Sequence, residues 1–324
     1  MERKHSIDLL RVLSAFAIIV IHIVSAPVTN SNVEVDAGLV AVLEVIHSLM
    51  NWAVPVFFMV TGYCLLKKSE VTYKYCFHRV LKYVCVLFTV GLFYALLAEI
   101  FVVGDLTFSV VLASVRNVIS GQLWDHMWFV YEIIGIYLVM PVIHSFMQQG
   151  KPNIITITGL LFAFTIVLPT IEQYFPVGVS IPFGGYLFYV CFGGAMAKLH
   201  IDKKWLYVAG FVGLVSCVYI LCMAPYQSFG YKHLIVCTMS MSIFSFFTRM
   251  DIHERKVLLV LSQCTWGVYL LHPFIINIAL KLLKLDMLSS YAYERLSLFV
   301  VAVSLISFLA TYVLRKIPLV KKLF

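Results

Sequence analysis

A chain of 324 residues that is 62% hydrophobic and only 12% charged, with a mean hydropathy of +0.95, departs widely from soluble domains, in which roughly 25% of residues are charged. Secreted enzymes and disordered tails are excluded, and the apolar runs are too continuous for the alternating strands of an outer-membrane barrel. At about 20 apolar residues per span there is room for roughly ten membrane helices. The remaining class is an all-α polytopic membrane protein, a single transmembrane domain over 1–324 with no separate soluble domain.

The first apolar run, Ile7 to Ala26, follows Met-Glu-Arg-Lys-His and contains Asp8 and Arg11. Arg11 would interrupt the apolar stretch that a cleavable signal needs, so the run reads as the first span. Arg11 and His22 are eleven steps apart; on a helix this is about 1100°, about 20° beyond three turns, with a rise of about 16.5 Å. They share one face at two depths, where a cation and a deeper base meet two ends of one long ligand. Asp8 stands three residues before Arg11, at ion-pair spacing. The plainer alternatives are interfacial anchoring for Asp8 and Arg11 and a cross-helix hydrogen bond for His22.

The second run, 39–66, carries Glu44 and His47, and Pro55 is expected to kink it. Lys67 and Lys68 close it, and Arg79 and Lys82 open the third run, 80–103. These cations either meet a phosphate-rich ligand or serve as ordinary inner-leaflet anchors. Leu106 to Ile119 is too short to span and is expected to lie in the interface or re-enter. The fourth run, 127–149, follows His126 and contains Trp128 and Glu132. Runs at 154–170, 183–200, 205–224 and 233–248 come next, then 257–280 with Tyr269 and His272 late in it, then 296–315. That makes ten.

Their order places both termini in the cytoplasm. Of the 24 Lys and Arg residues, 18 fall on the inner side, Arg11 lies within a span, and only Arg116, Lys232, Lys281, Lys284 and Arg295 fall outside, as the positive-inside rule requires. The net charge of +8 therefore reflects attraction to membrane lipid on the anionic inner leaflet, and no nucleic-acid motif accompanies it. On this topology His22, Glu44, His47, His126, Glu132, Tyr269 and His272 fall at similar depth, consistent with a polar chamber open to the outer face. Intramembrane ionisable groups are functional candidates by default. The eight cysteines form no CxxC pair and read as buried thiols, with no metal site.

Four segments carry a resemblance. Asp8-Leu9-Leu10-Arg11, followed by ten residues and His22, resembles the Arg-to-His first-helix motif of the membrane acyltransferase 3 family. Pro55-Val56-Phe57-Phe58-Met59-Val60-Thr61-Gly62-Tyr63 is similar to its second-helix proline-phenylalanine-glycine motif. His126-Met127-Trp128-Phe129-Val130-Tyr131, with Tyr137-Leu138 and Pro141, resembles its tryptophan-phenylalanine helix, and Ser262 to Pro273 resembles its tyrosine-histidine-proline motif.

The resemblance implies a multi-pass cell-membrane enzyme. Its co-substrate would be acetyl-CoA or another acyl-CoA from the cytoplasm, and its acceptor a hydroxyl of an envelope glycan or lipid-linked sugar. In this reading Arg11, with Arg79 and Lys82, holds the CoA phosphates and His22 is the general base. Glu132 or Glu44 orients its imidazole, and Tyr269, His272 or His126 donates to the oxyanion. The alternative class is a transporter or exporter of a small solute or glycan, against which the lack of an inverted repeat counts slightly.

Overall fold

Inside a bilayer each apolar segment must satisfy its own backbone, and among the described residues the regular structure is entirely helical. The computed structural model describes residues 3–30, 36–173, 175, 185–283, 292–318 and 320–323. Eight helical stretches are long and apolar enough to cross a membrane: His5–Ser25, Ala37–Leu66, Tyr73–Val103, Trp128–Gln148, Lys151–Glu172, Lys203–Met223, Lys256–Leu280 and Ala292–Leu314. They coincide with eight of the ten expected spans. The other two correspond to the shorter apolar helices Leu187–Lys198 and Leu234–Phe247, and residues 183 and 184 of the expected run lie outside the described residues. At 1.5 Å per residue these two measure about 18 and 21 Å. The chain is a multi-pass membrane protein whose regular structure is helical throughout the described residues.

In chain order the helices are α1 (His5–Asn30), α2 (Ala37–Met50), α3 (Ala53–Leu66), α4 (Tyr73–Val86), α5 (Leu92–Val103), α6 (Phe108–Ser120), α7 (Trp128–Gln148), α8 (Lys151–Phe162), α9 (Leu168–Glu172), α10 (Leu187–Lys198), α11 (Lys203–Met223), α12 (Leu234–Phe247), α13 (Lys256–Leu283) and α14 (Ala292–Leu314). They fall into two compact units, a smaller one over residues 68–153 and a larger one containing nearly all the rest.

In the larger unit α1 is central and packs on α2, α3, α12, α13 and α14. Its neighbours are fixed by local chemistry. Asp36 caps α2 by accepting from the Leu39 amide. The second span breaks at Asn51 and Trp52, between α2 and α3, because the ring of Pro55 clashes with the carbonyl four residues earlier, that of Asn51. The irregularity expected from Pro55 is this two-residue interruption, and the Asn51 side-chain amide ties it down by donating to the Phe229 carbonyl at 2.7 Å.

α3 and α10 approach most closely. Phe58 stacks on Tyr186 with centroids 4.6 Å apart, a Cβ on Gly62 would fall on the Val190 carbonyl, and a Cβ on Gly194 would meet Leu66. Phe58, Gly62 and Leu66 thus face Tyr186, Val190 and Gly194 in the same order, so the two helices run parallel. Small residues permit this backbone contact, as is usual between membrane helices. α11 and α12 form an antiparallel hairpin, joined by Ser216 and Thr238 at 2.8 Å and by Ser242 donating to the Ala209 carbonyl at 2.5 Å.

The smaller unit holds the long stretch α4–α5, continuous through a π turn at Leu87–Gly91, packed with α6 and α7. α6 is the segment expected to be too short to span; at 13 residues it is about 20 Å long. Asn117 on α6 donates to Glu99 on α5 at 2.8 Å, and Tyr131 on α7 donates to the Val118 carbonyl at 2.5 Å.

Candidate active site

The polar contacts of α1 converge on α13. At its first turn Asp8, only 4% exposed, accepts from Ser262 Oγ at 2.7 Å. Fourteen residues on, the His22 ring lies against that of His272, with centroids 5.0 Å apart and planes tilted by 49°. Two contacts in the same order make α1 and α13 a parallel pair. From the Asp8–Ser262 contact, His22 stands about 21 Å along α1 and His272 about 15 Å along α13. Between those levels α13 presents Trp266 and Tyr269, stacked at 5.2 Å, and Tyr269 lies 6.4 Å from the His272 ring. His22, Tyr269 and His272 are therefore brought together.

His272 is fully buried, and its Nδ1 lies 3.0 Å from the Val268 carbonyl, one turn back. A carbonyl accepts only, so Nδ1 carries a proton in this contact.

The lower contact differs from expectation. Asp8 does not pair with Arg11. Arg3 Nε and Nη2 donate to its two carboxylate oxygens at 2.7 and 2.8 Å, a bidentate fork stronger than the end-on contact available at helical spacing. His5 Nδ1 lies 3.7 Å from the same carboxylate. Arg11 is half-buried, and among the described residues it forms no ion pair. Arg3 escaped sequence reasoning because helical spacing relates only residues within the helix, and Arg3 folds back from outside it.

The same end of the larger unit gathers further cations. Lys4 donates to the Thr248 carbonyl after α12, Arg249 to the Ile201 carbonyl at 3.2 Å, and Arg315 to the backbone and side chain of Gln263. The start of α1, the ends of α10 and α12, the start of α13 and the end of α14 therefore share one basic end. Glu44 and His47 lie on α2, and His47 Nδ1 is 3.5 Å from the Asn51 amide nitrogen.

The remaining sequence-derived candidates belong to the smaller unit. His126 is buried and meets the ring of Tyr94 edge-on at 5.1 Å, and Tyr94 packs on Trp124 at 4.5 Å. Glu132 and Lys82 are half-buried. Arg79 donates to the Tyr75 hydroxyl at 3.3 Å and lies over that ring. Tyr83 on α4 meets Tyr137 on α7 at 5.6 Å, and since the two helices are antiparallel, Arg79 and Glu132 are separated by about nine residues' rise, roughly 13 Å. Among the described residues no group of three His, Cys, Asp or Glu converges as a metal site.

Compared with known proteins, residues 4–316 match the model of one family, described as an acyltransferase domain. Comparison with curated proteins and with solved structures returned no match.

Proposed function

The chain belongs to the acyltransferase 3 family, and from that premise we propose that it moves an acyl group, most simply acetyl, from cytoplasmic acyl-CoA to a hydroxyl of an envelope glycan or lipid-linked sugar at the cell membrane. The observation that carries the reading is the α1–α13 seam. One helix face bears a guanidinium that forms no ion pair among the described residues and, about 16.5 Å further on, a histidine in contact with a second, fully buried histidine.

In this reading the basic end faces the cytoplasm and Arg11 takes a phosphate of CoA, for which a planar fork of donors is suited. The pantetheine arm follows α1 past Trp266 and Tyr269 until the thioester reaches His22. His22 removes the proton from the acceptor hydroxyl as its oxygen attacks the thioester carbonyl. The tetrahedral oxyanion takes a hydrogen bond from Tyr269, the C–S bond breaks, and the proton on His22 passes to the departing thiolate to give free CoA. In this reading His272, its Nδ1 held by the Val268 carbonyl and its ring against that of His22, takes the orienting place first sought among carboxylates.

The test is transfer of radiolabel from acetyl-CoA by the purified protein to a panel of envelope glycan intermediates. Labelled glycan is the expected product. No transfer from any acyl-CoA, by a protein that is folded and binds donor, overturns the reading.

A further inference from the structure

Asp8 and Arg11 stand at the spacing at which a helix brings a carboxylate and a guanidinium together. A guanidinium held by a carboxylate has fewer of its five N–H donors to offer an anion. In the folded chain Arg3 takes the carboxylate instead, through two bonds at 2.7 and 2.8 Å, and Ser262 adds a third at 2.7 Å. A carboxylate has about four lone-pair sites, so three directed donors leave little for another. Arg11 forms no ion pair among the described residues. Arg3 approaches from the exposed side, its side chain 47% accessible, while Ser262 approaches from α13.

We infer that Arg3 is a positioning residue: by occupying Asp8 it holds the Arg11 guanidinium open for an anionic ligand. With the donor reading above, on which the identity of that ligand rests, the ligand is a phosphate group of CoA. Without Arg3, the Asp8 carboxylate turns to Arg11, three residues on, and competes with the phosphate for it. Arg3 acts through Asp8 and does not itself contact the ligand.

The experiment is a double-mutant cycle on the full-length chain in detergent, with CoA affinity measured by calorimetry for wild type, Arg3→Ala, Asp8→Asn and the double variant. Arg3→Ala is expected to bind about tenfold more weakly. Adding Asp8→Asn to it restores affinity, because a neutral amide does not hold Arg11, and Asp8→Asn alone binds as wild type does. Wild-type affinity in Arg3→Ala overturns the inference. So does a double variant as weak as Arg3→Ala, since Arg3 would then be touching the ligand. Thermal melting separates loss of fold from loss of binding, and Arg3→Gln replaces Arg3→Ala if the latter does not fold. If wild type does not bind CoA, the donor reading fails by itself, and the same four proteins titrated with inorganic pyrophosphate still test Arg3. A wild type that binds neither overturns both.

Discussion

Two parallel helix pairs of the larger unit are built on opposite principles. α3 and α10 meet through Phe58 on Tyr186 and through glycines at which a Cβ would strike the facing backbone. α1 and α13 meet through Asp8 on Ser262 and His22 on His272. Apolar surface and small residues suffice to hold membrane helices together, and ionisable groups there are costly. α3 and α10 pack without such groups, whereas α1 and α13 bring them into contact. In the reading proposed above, α3–α10 is structural and α1–α13 carries the chemistry, and that reading predicts that the two pairs fail in opposite ways.

The largest effect is expected at His22. His22→Ala should lower acyl transfer by about 10²–10⁴ and leave melting temperature and CoA affinity near wild type. A folded His22→Ala protein that still transfers at the wild-type rate would pass the catalytic role to His272 or His126. A transporter would behave differently again, losing flux of an intact solute with no transfer defect to measure. Gly62→Ala should show the converse. Its Cβ falls on the Val190 carbonyl, which is backbone and cannot yield as a side chain does, so a loss of about 1–3 kcal/mol or more is expected, read as a lower melting temperature in detergent. Wild-type melting in that variant would show that the α3–α10 approach does not depend on close backbone contact.

Arg11→Lys comes third. Lysine keeps the charge and loses the planar fork, so CoA affinity should fall about tenfold with stability unchanged. Unchanged affinity in the folded variant would leave Arg11 as an interfacial anchor.

Much of this contrast was legible in the sequence. The shared face of Arg11 and His22 follows from 3.6 residues per turn, and the motif around Gly62 marks a small residue inside a span. Other parts were not readable, for physical reasons. Periodicity places residues around one helix but says nothing about which helices touch, so the meeting of His22 with His272 needed the fold. The Asp8–Arg11 expectation used only helical neighbours, whereas Asp8 was taken by Arg3 from outside the helix and Ser262 from 254 residues away. The bounds of the helices α10 and α12 were less legible than their existence, because hydropathy averages over a window and does not mark where the helical backbone ends.

The smallest expected effect tests whether the lower contact of the α1–α13 seam is structural or catalytic. Ser262 donates to Asp8 at 2.7 Å, but Asp8 keeps the Arg3 fork when that hydroxyl is removed. Side-chain hydrogen bonds between membrane helices average about 0.6 kcal/mol. Ser262→Ala should therefore lower the melting temperature slightly and leave both CoA affinity and transfer within about threefold of wild type, because roughly 0.6 kcal/mol is less than a factor of three in an equilibrium constant. Transfer assays on Ser262→Ala and His22→Ala side by side decide the matter. If Ser262→Ala lost transfer as fully as His22→Ala while staying folded, the register of α13 against α1 would itself be part of the catalytic geometry, and the division between a phosphate end and a chemical end would have to be redrawn.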